Sequence, residues 1–68
     1  MKPVSGKRLR KVLEARGWVL VRVKGSHHVF EKPGVAGTVH VPIHGNKNLK
    51  PGTQKSIMNA AGLTDDDL

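Results

Sequence analysis

The chain has no cysteine, so no disulfide and no thiolate-bound metal can staple it. Its aromatic side chains are Trp18 and Phe30 alone, which leaves little large apolar volume for a core. No apolar run approaches the roughly 20 residues that cross a bilayer. Met1-Lys2-Pro3-Val4 leads into Ser-Gly-Lys-Arg where an export signal would have an apolar stretch. A soluble, cytoplasmic protein is expected. Acids are scarce too: outside the terminal Asp65-Asp66-Asp67 there are only Glu14 and Glu31. With 68 residues, one domain spanning 1–68 is expected, burying only roughly 60% of its unfolded surface, so a partner protein would help complete a thin core.

What is abundant is positive charge. The formal charge is +7, and residues 1–64 carry +10, since twelve Lys and Arg face two Glu there. That imbalance points to nucleic acid or an acidic partner. A membrane-surface helix fits poorly, because the basic residues are spread over several segments instead of one amphipathic helix.

Leu9, Val12 and Leu13 recur at helical spacing among Lys and Arg, predicting a helix over about 5–16. Ser5 suits its N-cap, Val4 can pack on Leu9, and Gly17 with Trp18 suits a Schellman-type end. Trp18 to Lys24 is rich in β-branched residues and reads as a strand. Val19, Val21 and Val23 fall on one side of it and Trp18 and Leu20 on the other, which leaves its orientation open. Gly25-Ser26 is a tight turn, and further strands follow over about 27–32 and 38–42, separated by the Pro33 to Gly37 break. Pro51 suits the first turn of a helix over about 51–61, with Thr53, Ile57, Ala60 and Ala61 as its packing stripe. Thr64 with the three acids suits a short terminal turn over 65–67. The expected fold is α+β: α-β-β-β-α, a three-stranded antiparallel meander with two helices packed on one face, the order found in double-stranded RNA-binding domains.

Chemistry concentrates in Gly25-Ser26-His27-His28-Val29-Phe30. Neighbours on a strand point to opposite faces, so Phe30 in the core puts His28 on the helix-covered side and His27 on the open one. Pairing Phe30 with Val39 or Val41 sets His27 opposite Pro42 or His44. Attack of an RNA 2′-hydroxyl on its own phosphate requires a base, an acid and cations, and imidazole serves either proton-transfer role near neutral pH. Lys24, Lys47, Lys50 and Arg22 are the cations expected to hold phosphate. His40 reads as a surface or hydrogen-bonded histidine. The histidines make poor metal ligands, with neither Cys nor a nearby acid to complete a tetrahedral set, so no metal is expected. Ser26 lacks the orienting acid and strand-turn-helix elbow of a nucleophile. Gly6-Lys7 and Gly52-Thr53 are too sparse for a phosphate-cradling loop.

Lys24-Gly25-Ser26-His27-His28-Val29-Phe30, Val41-Pro42-Ile43-His44-Gly45-Asn46-Lys47, Leu49-Lys50-Pro51-Gly52-Thr53 and Asn59-Ala60-Ala61-Gly62-Leu63, in this order, resemble the HicA (YcfA-like) toxins of toxin-antitoxin systems. The resemblance covers almost the whole chain. It implies a double-stranded-RNA-binding-like fold, a metal-independent endoribonuclease that cleaves mRNA, and neutralisation by a HicB-like antitoxin. The family's active-site histidine lies in the Gly-Ser-His element, which carries over to His27, with support expected from His28, His44 and Ser26. The family often has Arg-His-Pro after the aromatic, where this chain has Glu31-Lys32-Pro33. The alternative reading is an RNA-binding module without catalysis.

Overall fold

A computed structural model describes residues 1–68. Helix α1 (Gly6–Ala15) is followed by strands β1 (Val19–Lys24), β2 (His27–Glu31) and β3 (Val39–Pro42), helix α2 (Pro51–Ala61) and a 3-10 turn at Asp65–Asp67. The strands form one antiparallel sheet in the order β1-β2-β3, which is the expected α+β arrangement.

Helix α1 starts where Ser5 Oγ accepts the Arg8 N–H at 3.0 Å. It ends in a Schellman pair, Trp18 N–H to Leu13 C=O at 3.0 Å and Gly17 N–H to Glu14 C=O at 3.1 Å, with Gly17 at φ 93°. That end swings Trp18 back under Leu13, and both are buried. Leu9, Leu13, Phe30 and Val41 lose all exposure and form the core with Trp18, Val39, Ile57 and Met58. Both helices therefore cover the Phe30 face of the sheet and leave the other face open.

Two expectations change. The buried side of α2 is Gln54, Ile57 and Met58, whereas Ala60 is exposed and Thr53 and Ala61 are only partly covered. The stripe is rotated because a polar residue belongs to it. Gln54 is 1% exposed, accepts the Val4 N–H at 3.1 Å through Oε1 and donates to the Lys2 carbonyl at 2.6 Å through Nε2. A search for apolar side chains passes over it. The second change is in β1, where Leu20 pairs with Phe30 but Arg22 pairs with Val29, leaving Val21 as a β-bulge. The bulge breaks the strict alternation expected of this strand. Val23 joins the side of Leu20 by pairing with His28, and Arg22 and Lys24 move to the open face by pairing with Val29 and His27.

The segment after β3 is tied down from two sides. Ile43 N–H donates to the Ser26 carbonyl at 2.8 Å, Leu49 N–H donates to the Val4 carbonyl at 2.9 Å, and Ser5 and Asn48 form a β-bridge. Gly6 permits this approach: a Cβ there would fall on the Pro42 carbonyl oxygen and within 3.1 Å of Ile43 Cγ1. Gly6 is thus a packing glycine at the junction of α1 with the end of β3. At the C-terminus, Asp67 accepts the Thr64 N–H at 2.7 Å and pairs with Arg16, fastening the terminal turn to the end of α1.

Candidate functional site

The turn between β1 and β2 consists of Gly25 and Ser26 alone, because Lys24 pairs directly with His27. Gly25 has φ 58°, the positive value that the first position of a type II′ hairpin turn requires. With no bulge in the turn, the alternation of β2 holds from His27 to Phe30. His27 pairs with Pro42 and Val29 with His40 on the open face, while His28 pairs with Val41 and Phe30 with Val39 on the helix side.

His27 is exposed and forms the wall shared by two open concavities. One, of about 410 Å³, is bordered by His27, Pro42, His44, Lys47, Lys50 and Thr53. The second, of about 480 Å³, is bordered by Arg22, Lys24, Ser26, His27, Val29 and His40. No Asp or Glu lines either space, so nothing there offsets the four basic side chains. Lys50 is the N-cap of α2 but makes no side-chain capping bond, and Pro51 occupies the first turn. Lys50 and Thr53, at this helix start, line the first concavity, on the side where the helix dipole favours an anion.

The residues singled out in the sequence divide as follows. His27, His44, Lys47 and Lys50 come together on one side of the His27 wall, and Arg22, Lys24 and Ser26 on the other. His28 is half-buried on the helix side, with Nδ1 3.1 Å from the Ser26 carbonyl. A carbonyl only accepts, so His28 Nδ1 carries the proton and the ring braces the turn that presents His27. His40 was expected to be a hydrogen-bonded surface histidine, and its Nε2 does lie 3.0 Å from Thr38 Oγ1. Sequence reasoning missed that it borders the same space as His27. The signal was available: once Phe30 pairs with Val39, the next position of β3 must lie opposite Val29 on the open face. No three His, Asp or Glu side chains gather in a set that would ligate a metal ion.

The family model for the HicA toxins of bacterial toxin-antitoxin systems matches residues 6–63, from the start of α1 to just beyond α2. The chain belongs to the HicA toxin family. No curated protein sequence matches it significantly. The matched span holds every element of the sheet, both helices and all residues of the two concavities around His27, so this HicA chain carries its candidate site wholly within the family domain. Membership makes it a toxin component with an antitoxin as counterpart. No helix of this HicA chain is long and apolar enough to cross a membrane.

Proposed function

We propose that this HicA chain is a metal-independent endoribonuclease that binds and cleaves mRNA and is neutralised by a HicB-like antitoxin covering the His27 face. The observation that carries this reading is the placement of one exposed imidazole at the wall between two acid-free, lysine- and arginine-lined concavities. A phosphodiester is drawn to such a surface, and the counterions it releases supply most of the affinity. Arg22 and Lys24 on one side and Lys47 and Lys50 on the other hold successive phosphates. His27 then removes the 2′-hydroxyl proton, the 2′-oxygen attacks phosphorus, and the bond to the 5′-oxygen breaks with protonation of that oxygen. The products are a 2′,3′-cyclic phosphate and a 5′-hydroxyl, and no other reactant is consumed. Proton transfer by a positioned group accounts for roughly 10²–10⁴ in rate. Ser26 on the Arg22 and Lys24 side of His27 and His44 on the Lys47 and Lys50 side give hydrogen bonds to the bound strand, and His28 holds the turn.

The test is incubation of RNA with wild type and His27→Ala in EDTA. Wild type should cut and the variant should bind RNA with wild-type affinity without cutting it. A wild-type protein that binds RNA and leaves it intact would refute the enzyme reading and establish the binding module instead.

A further inference from the structure

The reaction needs a second proton-transfer group, and the geometry points to His40 as the general acid that protonates the leaving 5′-oxygen. This inference rests on the ribonuclease reading. His40 stands on β3 opposite Val29, and His27 stands next to Val29 but one on β2, so the two rings are diagonal neighbours on the open face. Such neighbours have backbones about 7–8 Å apart, room for a phosphate between two imidazoles. Val29, 3% exposed, floors that gap and offers the phosphate no competing polar group. Arg22 pairs with Val29 from the opposite strand and Lys24 pairs with His27, so two cations border the same floor.

The orientation of the His40 ring is also fixed. Its Nε2 is engaged by Thr38 Oγ1 at 3.0 Å, which leaves Nδ1 as the nitrogen free for substrate. In the imidazolium form Nε2–H donates to the Thr38 hydroxyl and Nδ1–H is available to the leaving oxygen. His44 has the weaker claim. It lies on the turn after β3, with its carbonyl accepting the Lys47 N–H, and no hydrogen bond holds its ring. The groups that face His40 across the cavity are Arg22 and Lys24 of β1 and His27 of β2, all of them basic. His27 as base and His40 as acid then flank the phosphate in line: the proton leaves O2′ to His27, and O5′ takes one from His40 as the P–O5′ bond breaks.

The experiment uses the full chain and two dinucleotide-containing RNAs, one ordinary and one with sulfur in place of the bridging 5′-oxygen at the cut. A thiolate leaves without protonation, so loss of the acid costs nothing on the second substrate. His40→Ala and His40→Gln, the latter retaining a hydrogen bond to Thr38, should both lose roughly 10²–10⁴ in cleavage rate on ordinary RNA. On the sulfur substrate both should match wild type, whereas His27→Ala should remain slow on either RNA. If both His40 variants cut ordinary RNA at the wild-type rate, or stay slow on the sulfur substrate, His40 is not the acid. Rescue of His27→Ala or His44→Ala instead would assign the acid elsewhere and overturn the proposal. A wild type that cuts neither RNA refutes the ribonuclease reading itself, which separates the two failures.

Discussion

Replacing Gln54 with Met isolates the hydrogen bonds that fasten the N-terminal segment to α2. Methionine preserves most of the side-chain volume at a position with 1% exposure, so little cavity forms. Two bonds to the N-terminal segment are lost, Val4 N–H to Oε1 at 3.1 Å and Nε2 to the Lys2 carbonyl at 2.6 Å, together with the weaker Nε2–H contact to Met58 Sδ at 3.9 Å. Lys2 is exposed, so water replaces the partner of its carbonyl. Val4 is buried, and its N–H is left without one. An unsatisfied buried donor costs about 1–3 kcal/mol, and a domain of this size shifts in Tm by about 4–8 °C per kcal/mol, so Gln54→Met should melt roughly 4–24 °C below wild type. Gln54→Ala should melt lower still, by the packing lost when most of the side chain is removed. Thermal unfolding followed by circular dichroism reads both values. A Gln54→Met protein that melts with or above the wild type would refute the argument, because it would mean that the two bonds contribute nothing net to folding.

Gly6→Ala should destabilise the fold by about 1–3 kcal/mol, read by urea titration, since the new methyl meets the Pro42 carbonyl oxygen, a backbone atom that moves only with β3. An unchanged midpoint would show that α1 and β3 can separate without cost. For RNA binding, each of Lys24→Gln, Lys47→Gln and Lys50→Gln should lower the slope of log affinity against log salt by about 0.7, the single-strand value per phosphate contact. Lys55→Gln, outside both concavities, serves as the control whose slope should stay at the wild-type value.

Much of this protein was legible in the sequence because its signals are local. Ser5, Gly17 and Trp18 mark the ends of α1 by capping chemistry that operates within a few residues. Gly25-Ser26 specifies a hairpin whose register follows from the turn, and that register alone sorts His27 to the open face and His28 to the covered one. Pro51 and Gly62 bracket α2 in the same way. The acid-poor composition already placed a positive field over residues 1–64.

Tertiary structure decided what depends on partners distant in the chain. Gln54 is a core residue only because the Val4 N–H and the Lys2 carbonyl, some fifty positions earlier, need an acceptor and a donor there. The bulge at Val21 has no glycine to announce it, and it is set by how Leu20 and Arg22 must register against Phe30 and Val29 at once. Without that extra residue, strict alternation would send Arg22 and Lys24 to the side of Leu20, beneath the helices. With it, both cations stand beside His27. The sequence by itself determined which residues carry charge and protons and which strand presents them. Long-range pairing decided which of them share one surface, because a one-residue shift in a strand reverses the face of every side chain after it.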